Sequence, residues 1–231
     1  MNIGVATVGL VAGIVVWWLA ARRLTSRSWE AAGTLDGRDG AQLHESPPPA
    51  RVALWVLLAV VSSFFALFMT AYLMRMSPHL VNGIDLRDWR PVAEPPVLWL
   101  NTLLLFAGSV AMQLGSSALR RWRFTLAGWG LAAGGVFAIA FQVDQWLAWR
   151  QLLAMGVYAS SNPASAFFYV LTALHALHLV GGLVVWARAL ARMSRGRTTL
   201  AAVRLSVELC TVYWHYLLAV WVVLFGLLLV T

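Results

Sequence analysis

The sequence predicts an all-α, polytopic membrane protein with six transmembrane helices and both termini outside. Three observations carry this. Apolar types make up 61% of the 231 residues and charged types only 11%, whereas soluble domains hold roughly 45–50% and about 25%. Mean hydropathy is +0.74 for a chain of 25.4 kDa, and a small soluble globule leaves too much surface wet to hide that apolar mass. The apolar residues also fall into six runs, 3–20, 52–74, 97–118, 124–148, 164–190 and 207–230, each near the roughly 20 residues that cross a bilayer as helix. None of the runs alternates as a barrel strand would. A soluble enzyme, a disordered chain and a fibrous repeat are excluded.

The first run, 3–20, has no basic residue ahead of it, and Arg22 and Arg23 follow it. That is the pattern of an uncleaved anchor inserted with its N-terminus out. From Glu30 to Ala50 the chain is rich in Gly, Asp and Pro, including Pro47-Pro48-Pro49, and reads as an extended connection. The division expected is therefore an N-terminal anchor and linker, 1–51, and a five-helix core, 52–231. After the second run comes a polar loop, 75–96, with Asp85, Arg87, Asp88, Trp89, Arg90 and Glu94, closing on Pro95-Pro96. Proline suits the first turn of the helix that follows, where an N–H has no partner in any case. A short Arg-rich turn separates the third and fourth runs. Gly128, Gly130, Gly134 and Gly135 line the fourth and Gly181-Gly182 interrupt the fifth; small residues let membrane helices approach closely.

Charge sets the orientation. All 17 basic residues are Arg, and the net charge is +8. Thirteen Arg fall in three connections on one side: 22, 23, 27, 38 and 51; 120, 121 and 123; and 188, 192, 195, 197 and 204. Arg75, Arg87, Arg90 and Arg150 fall on the other. The Arg-rich side is cytoplasmic by the positive-inside rule, so the basic balance records topology and does not point to nucleic acid. The single cysteine, Cys210, lies inside an apolar run and carries no information on redox compartment.

Ionisable residues within membrane spans are costly and need a partner or a task. The set comprises Asp144, His175, His178, Glu208 and His215, with Gln142, Gln145 and Tyr213 nearby. His175 and His178 share one helix face at a spacing of three, and Glu208 and His215 share one at a spacing of seven. The expected arrangement brings these faces together as an interhelical polar network of His175, His178, Glu208, Tyr213 and His215, with the Glu208 carboxylate pairing with a histidine. The alternative is ligation of haem by His178 and His215, which fall at similar depth. A di-metal oxygen site would need several more histidines. Asp144, Gln145 and Trp146 read as an interfacial or subunit contact, with Trp146 and Trp149 as headgroup anchors. No phosphate loop, nucleophile triad or acid–base carboxylate pair is evident. Neither are the repeated or broken helices of a transporter clear.

Four stretches resemble the cytochrome c oxidase subunit III family, in the family's order. Residues Phe167 to Gly182, FFYVLTALHALHLVGG, resemble its "FF-x-x-TG-x-HG-x-H-V-x-x-G" helix, including Thr172 and Gly181. Glu208, Tyr213-Trp214-His215-Tyr216 and Trp221 resemble its last helix, "E-x-x-x-x-YWHF-x-D-x-x-W". Trp89, Pro95-Pro96 and Leu100-Asn101-Thr102 are similar to "W-P…P-L-x-NT", and Gln142 to Trp146 to "Q-x-x-E-(Y/W)". The resemblance covers 52–230 and leaves 1–51 uncovered.

The resemblance implies an accessory subunit of a haem-copper terminal oxidase in aerobic electron transport, in a bacterial cytoplasmic (inner) membrane. Such a subunit has no catalytic, metal or cofactor-binding residues of its own. It packs on catalytic subunit I, with subunit II and further subunits nearby, binds phospholipid, and supports complex stability and proton uptake. Haem and copper are expected in the partner subunits. Three acids common in the family are replaced: the second run reads Val60-Val61-Ser62-Ser63-Phe64-Phe65, Gln145 stands for a Glu, and Leu218 for an Asp. A proton-related role at those positions is weakened accordingly. A subunit III-like partner of nitric oxide reductase and a small membrane transporter are the competing readings.

Overall fold

In the computed structural model the described residues are 48–76, 80–81, 84–85, 89, 96–195 and 199–229. Five helices follow in order: α1 (Pro49–Met76), α2 (Val97–Arg120), α3 (Phe124–Ala154), α4 (Pro163–Arg195) and α5 (Leu200–Leu229). Each is long and apolar enough to cross a membrane. Two short strands, β1 (Leu80–Val81) and β2 (Ile84–Asp85), pair antiparallel between α1 and α2. The helix expected over 3–20, most of the connection after it, and both termini lie outside the described residues. Compact units divide at Met1–Ala53 and Leu54–Thr231, and all the packing that follows is within the second.

Three helices run past their expected ends. α3 continues from 148 to Ala154, α4 from 190 to Arg195, and α5 begins at Leu200, not 207. Apolar runs mark the hydrocarbon crossing, whereas a helix continues into the interface for as long as Ala, Leu, Arg and Gln support it. α3 stops where Gly156 adopts φ 77°, with Gly156 N–H donating to Leu153 O and Val157 N–H to Leu152 O at 3.0 Å each. This pair of bonds satisfies otherwise unpaired carbonyls at the helix end. The end of α2 repeats the pattern with tryptophan in glycine's place. Trp122 sits at φ 62°, Trp122 N–H donates to Leu119 O, and Arg123 N–H donates to Ala118 O. The Arg204 guanidinium of α5 lies 4.2 Å from the Trp122 ring centroid. α4 starts at Asn162-Pro163, where Asn162 Oδ1 accepts from Ser165 N–H and Ser165 Oγ accepts from Asn162 N–H, a reciprocal cap.

α2, α3, α4 and α5 form a closed ring in which each helix contacts the next and α5 returns to α2. Short connections make sequential neighbours antiparallel. At the α2–α3 crossing the backbones touch: a Cβ on Gly130 would lie 2.6 Å from Gly115 Cα. α1 is attached differently. None of its Cα atoms comes within 8 Å of a Cα in another described helix. It reaches α4 and α5 through side chains, Phe65, Tyr72 and Ser62 among them.

Candidate functional site

Several residues of the sequence motifs converge inside the ring, among them Asn101, Gln145, Thr172, His175, Trp214 and Trp221. His175 of α4 is fully buried, with Phe141 of α3 at 5.6 Å between ring centroids, Trp221 of α5 at 5.2 Å and Phe65 of α1 at 6.5 Å. Neither of its ring nitrogens has a hydrogen-bond partner among the described residues. Trp221 joins a second helix, donating from Nε1 to Thr102 Oγ1 of α2 at 3.0 Å. One residue away, Asn101 Nδ2 donates to Gln145 Oε1 of α3 at 2.8 Å, both side chains buried. Asn101 Oδ1 and Gln145 Nε2 have no partner among the described residues.

The α3–α4 seam carries two further ties. Gln142 Nε2 donates to Ala176 O at 2.7 Å, and Trp149 Nε1 donates to Thr172 Oγ1 at 3.1 Å. Thr172 in turn donates to Phe168 O within its own helix. On the α4–α5 seam Tyr213 Oη donates to His178 O at 3.1 Å, and the Tyr213 ring closes over Gly182, where a Cβ would meet it at 2.9 Å. Trp214 is buried beside them. A Cβ added at Gly181 would meet nothing within 4 Å. Trp89, outside the ring, stacks edge-on with Tyr72 of α1 at 4.9 Å.

His215 does not join the His175/His178 face. Glu208 and His215 do share a face, but it is the exposed one. His215 turns to α2, where Nδ1 is bonded to Ser109 Oγ and Nε2 meets Gln113 Oε1 at 3.0 Å. The residue of α5 that meets α4 is Tyr213. The reason is angular: at 100° per residue, positions 213, 214, 217 and 221 turn inward, which carries 208 and 215 to the outside. His178 lies against Phe65 of α1 at 5.5 Å, its Nδ1 at 2.6 Å from Leu174 O. His178 and His215 therefore face different helices, and this donor geometry does not suit a haem held between them. Among the described residues no group of three or more His, Cys, Asp or Glu is placed to hold a metal ion.

The Asp144–Gln145–Trp146 stretch is split by the helix. Gln145 points into the core, Trp146 is exposed beneath Arg150 at 5.0 Å, and Asp144 is half-buried with Oδ2 lacking a partner among the described residues. Trp149 contributes to the interhelical seam through its bond to Thr172. Sequence reasoning passed over Ser109, Gln113 and Trp186, and gave Ser62 and Tyr216 no partner. Ser62 Oγ and Tyr216 Oη lie 3.0 Å apart across α1 and α5, and Trp186 Nε1 donates to Leu131 O. The signal for Ser109 and Gln113 was present: two polar residues four apart on one face of an apolar helix.

Comparison with known proteins agrees with the convergence of these motifs. The family model described as "Cytochrome c oxidase subunit III" matches residues 6–230. The match begins well before residue 52, so the N-terminal 51 residues are not outside the family pattern as the motifs alone suggested. Cytochrome c oxidase subunit 3 of Thermostichus vulcanus is 28% identical, covering 86% of this chain and 94% of the relative. Its counterpart in Synechocystis is 31% identical, covering 79% and 76%. A protein of Aeropyrum pernix named "Heme-copper oxidase subunit I+III" is 26% identical over 77% of this chain, which spans 22% of that longer polypeptide.

Proposed function

Because this multi-pass membrane chain belongs to the cytochrome c oxidase subunit III family, we propose that it is the accessory subunit of a haem-copper terminal oxidase, packed on the catalytic subunit I. The observation that carries this reading is the family match along almost the whole chain. A relative named for subunits I and III together supports the partner: in that polypeptide the two parts are joined covalently. In this reading the haem and copper belong to partner subunits, subunit II among them. The chain supplies a rigid membrane face, bound phospholipid and long-term stability of the complex. Its place is the bacterial inner membrane, with both termini outside and residues 1–51 serving as anchor and linker.

The side chains support a structural role for the polar network over a proton-conducting one. Asn101–Gln145, Thr102–Trp221, Gln142–Ala176 and Tyr213–His178 each bridge two helices, and interhelical hydrogen bonds hold membrane bundles together where no hydrophobic drive separates helix from lipid. The position that carries a family acid holds Gln145, which is bonded to an amide. The test is purification from native membrane through a tag on this chain. A co-purifying polypeptide with haem and copper spectra, and loss of turnover stability when this chain is stripped, is the expected result. Migration as an isolated homo-oligomer would refute the reading, and haem types diagnostic of nitric oxide reduction would redirect it.

A further inference from the structure

The Asn101–Gln145 pair makes fewer bonds than its groups allow. Asn101 Nδ2 donates to Gln145 Oε1 at 2.8 Å, while Asn101 Oδ1 and Gln145 Nε2 have no partner among the described residues. Two facing carboxamides can close a ring of two such bonds, each giving one N–H and taking another. Here the second bond is not made. Turning both amides over exchanges the atoms but leaves the same remainder, one N–H group and one carbonyl oxygen.

That remainder is sealed in. Asn101 is 0% exposed and Gln145 1%. About a turn from Asn101 stand Leu98 and Leu105 of α2, and about a turn from Gln145 stand Phe141 and Ala148 of α3, all buried. Trp221 of α5 closes the layer: its ring meets Phe141 at 5.0 Å between centroids, and its Nε1 is bonded to Thr102, the neighbour of Asn101. The hydroxyls of the core are committed. Thr102 donates to Leu98 O and accepts from Trp221, and Thr172 donates to Phe168 O and accepts from Trp149. Backbone N–H groups in the helix interiors are used within each helix. Asp144 Oδ2, also without a partner among the described residues, belongs to a half-buried side chain open to groups from outside; the amide pair is not. A lipid chain carries no donor or acceptor, and a headgroup or a second chain would have to displace the packed shell. Buried polar atoms of native proteins are matched by protein or by ordered water, and an internal water needs little volume and about two to four polar partners. Water is also both donor and acceptor, as an N–H beside a carbonyl oxygen requires.

We infer that the ring binds internal water at this pair, accepting from Gln145 Nε2 and donating to Asn101 Oδ1. α2 and α3 are then joined by a water-mediated tie beside the direct one, whichever complex the chain joins. The experiment is water-edited solid-state NMR on the full chain in native membrane lipid, isotope-labelled in nitrogen. Polarisation should pass from water to the Gln145 side-chain amide as it does to that of Gln151, which is exposed near the end of α3. It should not reach the backbone amide of the buried Phe141. Transfer at Gln151 without transfer at Gln145 overturns the water site. Equal transfer at Phe141 overturns it too, because the signal has then spread through the core. A density map that shows ordered water elsewhere, but has the two amides making both bonds directly, has the same force. Gln145→Met keeps the bulk and removes the N–H. It should cut water transfer to the Asn101 side-chain amide several-fold, and an unchanged signal would mean that Gln145 does not hold the water. If that variant fails to fold, the measurement on the unaltered chain decides.

Discussion

The four-helix ring and α1 are both membrane helices of similar apolarity, yet they are held by different means. In the ring, glycine brings backbones together and polar side chains bridge the seams: Gly130 touches Gly115, Gly135 lies under the Trp186 ring, and amide, indole and phenol hydrogen bonds join each pair of neighbours. α1 has no glycine in its span and no close backbone approach to another described helix. Its ties to the ring include long aromatic side chains, Phe65 to His175 and His178 and Tyr72 to Phe167, and a hydroxyl contact from Ser62. Lipid competes equally well for an apolar helix face, so short distances and hydrogen bonds decide which helices associate firmly. The ring is the frame, and α1 is a helix leaning on it.

The largest expected effect follows from the close crossing. Gly130→Leu should cost about 3 kcal/mol or more, since overpacking against backbone cannot relax by moving a side chain. The amount of folded chain in the membrane should fall sharply, whereas Gly181→Leu should leave it unchanged because nothing lies within 4 Å there. Equal loss in both variants would break the distinction between packed and open glycines. Next, Phe65→Ala should cost about 3 kcal/mol, the lower end for a buried aromatic, and raise hydrogen exchange in α1 while leaving α2–α5 protected. If exchange rises in all five helices together, α1 is part of the frame after all.

A smaller effect is expected within the ring's polar seams. Asn101→Leu leaves the Gln145 amide buried without its one bond, a cost of about 1–3 kcal/mol. Adding Gln145→Leu should recover part of it, and a double-mutant cycle read by thermal unfolding of the purified complex measures the coupling. Strict additivity would mean that the bond contributes nothing. The smallest net change belongs to Trp122→Gly. Relief of a left-handed tryptophan is worth roughly 1 kcal/mol, and loss of the Arg204 contact costs about 0.5–1 kcal/mol. Melting should shift by only about a degree or two, and Arg204→Gln alone should lower it.

Much of this architecture was readable from residue order. Five of the six apolar runs correspond to helices, and Pro96, Asn162-Pro163 and Gly156 mark ends for reasons that act within a few residues. The motif residues Asn101, Thr102, Gln142, Thr172, Trp214 and Trp221 stood out in the sequence as a group, but their partners did not. Periodicity places Glu208 and His215 on one face without saying which way that face turns. It also treats Trp149 and Trp146 alike, although one bonds Thr172 and the other stands exposed.

Residue order was enough to establish that this chain lives in a bilayer, roughly where its described helices begin and end, and which family its polar residues resemble. Those properties depend on local backbone chemistry and on the cost of charge in hydrocarbon. Three-dimensional packing was needed to close four helices into a ring with α1 outside it, to seal His175 among aromatic rings, and to turn His215 outward to Gln113. Such choices turn on which helix lies opposite which, and in a membrane every helix is apolar enough to face either lipid or protein. Only the fit of Gly115 to Gly130, of Asn101 to Gln145 and of Trp221 to Thr102 selects among them.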